Sequence, residues 1–249
     1  MKHTIAVKGG IGDFLQCLPF MLAHPEHQYL VASHHDHVSE FFGALNIEVE
    51  ELSLGRMNGA EICPRHLFFQ NNPFPKQAPI FTGNRPVVGV HLGGSNYSLS
   101  VEKRFGFPSK ALPVAVLEAL VMAGLQYDFL LFGSPNELAD LGLGLHGVRP
   151  VSKEDVTVSL AHVAECSAFV GSDSAFKTMS AMLGIPTVVW VGDYKDSHRD
   201  ERFIEPYVRA GVMSVFRYRD LSSEREVGSG VDFSIRQLKT VELRDACVA

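Results

Sequence analysis

Short apolar runs that stop at small residues, each followed by apolar positions at helical spacing, organise this chain. Ile5-Ala6-Val7 stops at Gly9-Gly10 and Gly12-Asp13, and Phe14, Leu15, Leu18, Met21 and Leu22 then recur on one helical face. That pattern predicts strand, glycine turn and helix. Gln28 to Ala32 reads as a second strand, Val38 to Leu45 as a helix, Ile47 to Leu52 as a third strand and Leu67-Phe68-Phe69 as a short fourth. Between Asn71 and Pro86 lie four of the thirteen prolines, together with Asn-Asn and Gly-Asn, and this stretch reads as a linker.

The pattern then restarts. Val87 to Leu92 is a strand ending in Gly93-Gly94-Ser95, Leu112 to Gly124 a helix, and Phe129 to Phe132 a strand ending in Gly133-Ser134. Leu138 to Leu143 suits a helix, Val148 to Val151 a strand and Val158 to Ala164 a helix. Ala168-Phe169-Val170 enters Gly171-Ser172-Asp173, a helix runs from Ser174 to Leu183, and Thr187 to Val191 is a strand. Val212 to Phe216 is a further apolar run. Ile235, Leu238 and Val241 share a helical face in a final helix, expected to pack back on the N-terminal half. Strands alternating with helices imply parallel sheets. The expected architecture is α/β, with an N-terminal Rossmann-like lobe over residues 1–80 and a C-terminal one over 81–249. Ligands in such sheets bind at the carboxyl ends of the strands, so both lobes would turn glycine loops toward a shared cleft.

Composition narrows the partners. The 249 residues are 46% hydrophobic and 20% charged, ordinary for a globular protein, and the net charge of −6 argues against a broad nucleic-acid-binding face. No apolar run reaches transmembrane length, and Met1-Lys2-His3-Thr4 leads straight into a strand without a cleavable signal. The four cysteines, Cys17, Cys63, Cys166 and Cys247, form no C-x-x-C pair and read as small hydrophobes of a reduced protein. A cytoplasmic protein with no stable membrane insertion is expected.

Two segments carry the candidate chemistry. In Lys8-Gly9-Gly10-Ile11-Gly12-Asp13, glycines allow close backbone approach at a helix start, and Asp13 is either a cap or a carboxylate aimed into the cleft as a general base. In Gly171-Ser172-Asp173-Ser174-Ala175-Phe176-Lys177, small and polar residues open a helix whose dipole attracts an anion. Asp173 could cap that helix, and Lys177 could reach the anion or remain solvated. A dinucleotide fingerprint fits poorly, because Leu15 stands where the third glycine of G-x-G-x-x-G belongs. His34, His35 and His37 crowd one turn but point in different directions, so they carry no metal site, and there is no D-x-D to hold a divalent cation. Asp193, Asp196, His198, Arg199 and Asp200 read as a polar loop at a strand's carboxyl end.

Three segments resemble the bacterial heptosyltransferase-type glycosyltransferases. IAVKGGIGDFLQCLPF is similar to their N-terminal strand, glycine turn and G-D-x-L helix start. VGVHLGGS, EKRFGFP and LLFGSPNE are similar to their opening C-domain strand, basic-then-proline segment and G-x-x-x-E turn. CSAFVGSDSAFKTMSAMLGIPTVVWVG is similar to the strand, D-T-G-x-x-H helix start and G-x-P strand that close their donor site. The resemblance covers most of residues 1–20 and 87–192. It departs at Ser174-Ala175, where the family has Thr-Gly, and at Thr178, where the family has His.

The resemblance implies a GT-B fold with a reduced N-lobe and metal-independent, inverting transfer of a hexosyl or heptosyl unit from a nucleotide-diphosphate sugar, with no cofactor. It points to Asp13 as base, with Gly10 and Gly12 lining the acceptor side. Gly94, Ser95, Lys103, Arg104, Ser134, Glu137, Asp173, Ser174, Ala175 and Lys177 would attend the donor. The acceptor (glycan, small molecule, protein or nucleic acid) and the oligomeric state stay open, and the short N-lobe argues against a lipopolysaccharide-core acceptor. A non-catalytic nucleotide- or sugar-binding module and a nicotinamide-dependent oxidoreductase with Asp36 on the ribose are the competing readings.

Overall fold

The computed structural model describes residues 2–33, 38–53, 59–93, 111–123, 126–139, 144–152, 155–192 and 198–246. Two separate parallel sheets form. The first holds β1 (Thr4–Lys8), β2 (Gln28–Ala32), β3 (Val49–Glu51) and β4 (Glu61–Ile62) in the order β3-β2-β1-β4. Helices α1 (Ile11–Ala23) and α2 (Val38–Gly43) cover it. The second holds β5 (Val87–His91), β6 (Asp128–Phe132), β7 (Val148–Val151), β8 (Ala168–Ser172), β9 (Thr187–Gly192) and β10 (Met213–Tyr218). Its order, β10-β9-β8-β5-β6-β7, is that of a doubly wound nucleotide-binding sheet. Its helices are α3 (Val114–Met122), α4 (Pro135–Ala139), α5 (Val156–His162), α6 (Ala175–Met182), α7 (His198–Arg209) and α8 (Glu224–Ala246).

Strand periodicity decides which core each residue joins. Along β6, Phe129 and Leu131 face one cluster while Leu130 and Phe132 face the other, as a sheet buried on both faces requires. One cluster packs β5, β6, β8 and β9 against α3 and α8 and includes the buried Trp190. The other runs continuously from one lobe into the other. It joins Val7, Phe14, Leu18 and Phe42 of the N-lobe to Phe176, Met179, Met182 and Tyr207 of the C-lobe.

Three sequence expectations are corrected. Leu67–Phe69 is not a strand: Leu67 and Phe68 are part-exposed, Phe68 stands edge-on to Tyr207, and Phe69 N–H donates to Met182 O across the lobes at 2.9 Å. The fourth strand is Glu61–Ile62, at two residues too short to show a period, with Ile62 exposed. His198, Arg199 and Asp200 open a helix rather than continuing a loop; the apolar face of α7, Ile204 and Tyr207, begins only after its polar first turn. Among the described residues the final helix packs on the C-lobe, not on the N-lobe. Val231 and Leu238 join the C-lobe cluster, Leu238 O accepts from the Tyr127 hydroxyl, and Ser234 Oγ accepts from Trp190 Nε1 at 3.1 Å. Its apolar stripe therefore covers the C-lobe sheet, and α7 supplies the contact to α1 instead, through Tyr207 and Gln16.

Two glycines two residues apart in α8, and so on opposite faces of the helix, separate packing from propensity. A Cβ on Gly230 would lie 2.2 Å from the Trp190 ring and 2.6 Å from Phe216, whereas one on Gly228 meets nothing within 4 Å. Gly230→Ala should destabilise the fold by about 1–3 kcal/mol through overpacking, and Gly228→Ala should stabilise it by about 0.5–1 kcal/mol. Urea denaturation of the two variants checks both signs.

Candidate active site

Both lobes place their candidate residues at a topological switch point, where neighbouring strands lead to opposite sides of the sheet and open a crevice. In the N-lobe that point lies between the ends of β1 and β4. β1 leads into Gly9, whose φ of +142° is a conformation that L side chains rarely adopt. A Cβ there would also fall 2.1 Å from Asp13 Oδ2. The turn thus brings Asp13, in the first turn of α1, back over the loop. Oδ2 accepts from Gly10 N–H at 2.9 Å, and Oδ1 pairs with Arg65 Nη1 at 2.9 Å. Asp13 therefore does serve the helix start, but as the third helical residue reaching back rather than as the cap. Its side chain keeps 27% exposure.

Arg65 follows β4 and was not singled out from the sequence, where a lone basic residue in Cys63-Pro64-Arg65-His66 carries no pattern. Its guanidinium also lies 3.4 Å from Gln16 Oε1 and stacks over the Phe203 ring, 4.7 Å from the centroid. Beside it, Gln16, Arg65, His66, Leu67, Phe203 and Pro206 line a cavity of about 410 Å³ between the lobes, a size that suits a small-molecule site.

In the C-lobe the switch point lies between β5 and β8. Ser172 Oγ donates to Gly93 O and ties the two strand ends together. Ser174 caps α6, its hydroxyl accepting from Lys177 N–H, and its carbonyl accepts from Thr178 Oγ1 at 3.2 Å. The amides of Ala175 and Phe176, at the helix start, have no intrahelical acceptor and present the positive end of the dipole. Lys177 does not open onto this start. Its side chain is 2% exposed, and Nζ pairs with Asp173 Oδ1 at 2.7 Å, so the buried charge is answered within the loop.

Ser134 and Glu137 form a capping box around α4, with Pro135 at the first helical position: Ser134 N–H donates to Glu137 Oε2 at 2.6 Å and Glu137 N–H to Ser134 Oγ at 3.3 Å. Glu137 also faces Gly93, where a Cβ would fall 2.1 Å from Oε1, and lies 3.8 Å from Nε2 of buried His91. Burial pushes the Glu137 carboxyl upward, but the hydrogen bond and charge of His91 and the Ser134 amide outweigh it and hold the group below its ordinary 4.5. The His91 ring packs 4.8 Å from Phe176. Nothing in its strand pattern separates it from a core position.

The two switch points meet. Gly12, beside Asp13, packs on the first turn of α6: a Cβ on it would lie 3.3 Å from Thr178 Oγ1 and 3.7 Å from Ala175 Cα. Asp13, Gly10, Gly12, Ser174 and Ala175 are thereby gathered at one place, with Ser134 and Glu137 behind Gly93. Gly94, Ser95, Lys103 and Arg104 lie outside the described residues, as do His34, His35, His37, Asp193 and Asp196. Among the described residues no three His, Cys, Asp or Glu ligand atoms converge at this cleft.

No protein-family model and no curated protein sequence matches the chain. Solved structures do. The structure of E. coli ADP-heptose lps heptosyltransferase II aligns over 99% of this chain and 100% of its own, with a TM-score of 0.60 and 13% identity. E. coli heptosyltransferase WaaC with ADP aligns over 95% and 99%, at TM-score 0.56 and 12% identity. The glycosyl transferase family 9 structure from Veillonella parvula aligns over 97% of each chain, at 0.50 and 12%. The chain thus has the GT-B fold of the heptosyltransferase-type glycosyltransferases.

The depressed Glu137 carboxyl has a consequence for stability. A group whose folded pKa lies below its unfolded value stabilises the fold above the unfolded value, and that contribution is lost as pH falls through the folded one. On acidification below about pH 5 the wild type should lose more stability than Glu137→Gln, measured as the difference in thermal midpoint across the acid limb.

Proposed function

We propose that the chain transfers a sugar from a nucleotide-diphosphate donor to an acceptor hydroxyl, without a catalytic metal and with inversion. One observation carries this reading: the helix start bearing Asp13 touches the helix start bearing Ser174 and Ala175 through Gly12, so a carboxylate and an anion-attracting dipole share one cleft. The solved structures of like fold include one with ADP, which supports a nucleotide as ligand.

In this reading the diphosphate rests on the α6 amides. Lys103 and Arg104 supply the cationic charge, since the Lys177 ammonium is already matched by Asp173. Gly94 and Ser95 border the donor sugar, and Ser134 and Glu137 stand near the nucleotide. The acceptor hydroxyl gives its proton to Asp13 as its oxygen attacks the anomeric carbon. The bond from that carbon to the diphosphate oxygen breaks, and the leaving group's growing charge is stabilised where the amides already point. Arg65 and Gly10 fix both carboxylate oxygens, which aims the remaining lone pairs without reorganisation.

Asp13→Asn retains an acceptor for Gly10 N–H, so the fold should hold while transfer falls by about 10²–10⁴-fold. Donor affinity, read by calorimetry, should stay unchanged. Replacing Lys103 and Arg104 together by Ala should instead weaken donor binding by about 1–3 kcal/mol. Chelator should leave the transfer rate of folded protein unchanged. Full transfer by Asp13→Asn would remove Asp13 as the base. Stabilisation by nucleotides with no product from wild type would leave a binding module.

A further inference from the structure

The opposite end of α1 carries a second cluster that the reaction does not use. His24 caps the end of α1, and His24-Pro25-Glu26-His27 closes a turn in which His27 N–H donates to His24 O at 3.2 Å. Proline in the second position presets such a turn and brings its first and fourth residues together. The two imidazoles consequently lie nearly parallel, 6° apart in plane, with centroids 5.3 Å apart. Glu26 Oε1 stands 3.3 Å from His24 Nδ1 and 3.6 Å from His27 Nδ1, and the three ligand atoms lie within 4.8 Å of one another.

An ion with tetrahedral bonds of about 2.0–2.2 Å sets ligand-to-ligand edges near 3.3–3.6 Å. The two measured edges match. A second feature points the same way: the His27 side chain is only 10% exposed, and its Nδ1 is buried without a hydrogen-bond partner. A buried polar atom left unpaired is costly unless something answers it. The surroundings hold the ligands in place. Phe20 packs on the His24 ring at 4.6 Å, the Tyr29 hydroxyl donates to His24 O at 2.8 Å, and His3 stands edge-on to His27 with its own Nδ1 at 3.2 Å from Glu61.

We propose that this turn binds one borderline transition-metal ion, zinc by its ligand chemistry, through His24 Nδ1, Glu26 Oε1 and His27 Nδ1, with water completing the shell. Two imidazoles and one carboxylate suit zinc and exclude magnesium and calcium, which take oxygen ligands. The ion binds neutral imidazoles, each keeping its proton on Nε2. Eleven residues separate Asp13 from His24, about 16 Å along the helix axis, so the ion takes no part in transfer. It clamps the end of α1 to the start of β2.

The test uses tag-free full-length protein at neutral pH, with zinc chloride as probe and magnesium chloride as control, followed by calorimetry and thermal melting. One zinc per chain should bind and raise the melting midpoint, since binding to the folded state alone stabilises it, and magnesium should do neither. His24→Gln and Glu26→Gln alter side chains that are 44% and 54% exposed, so both variants should fold. Each should weaken zinc binding at least tenfold and remove the thermal shift, while changing His34, His35 and His37 together to Ala should change neither. Absence of zinc binding in wild type, or binding that survives both turn variants, overturns the proposal. So does binding lost only with His34, His35 and His37.

Discussion

Gly12 is the position on which the arrangement depends. It has no side chain, so the first turn of α1 can rest on the first turn of α6, with Thr178 Oγ1 and Ala175 Cα within van der Waals reach of where a Cβ would stand. Each helix start is the place where its own sheet opens a crevice. The two starts are thereby brought side by side, and the cluster of Phe14, Leu18, Phe176, Met179 and Met182 packs the lobes together there. Among the described residues the charges around the junction pair locally, Asp13 with Arg65 and Lys177 with Asp173, and the amides of the α6 start point into the crevice beside them.

Much of this was legible in the chain because the signals are local. A strand that stops at glycine and restarts as a helix reports its own topology, and β1–α1, β5, and β8–α6–β9 were readable for that reason. The buried strands of the C-lobe, apolar on both faces, gave continuous runs. Asp13 and Ser174 stood out because each sits where a small-residue turn opens a helix, a position open to a cap and to an anion or base site alike.

The rest depended on distant partners. β4 is two residues long, paired to β1 by register alone, and so too short for a period to mark it. Arg65 matters only because β4 lies beside β1, and that adjacency brings its guanidinium to Asp13. Lys177 reads as a surface cation until the turn of α6 folds its ammonium onto Asp173. The stripe of Ile235 and Leu238 was visible, but a stripe does not say which sheet it covers; Trp190 and Tyr127 decide that. His91 and the His24–His27 turn share the same limit, since a histidine's neighbours in space are not its neighbours in sequence.

In the proposed reaction the α6 start holds the diphosphate beside Asp13. Amide NMR of the full chain, titrated in turn with ADP, UDP, GDP and dTDP, tests it most directly. The account predicts that at least one nucleotide moves the Ala175 and Phe176 amides among the largest shifts, with Gly12 and Asp13 following across the lobe contact, and that the same shifts appear in Asp13→Asn. Saturable nucleotide binding that leaves Ala175 and Phe176 unmoved would contradict it.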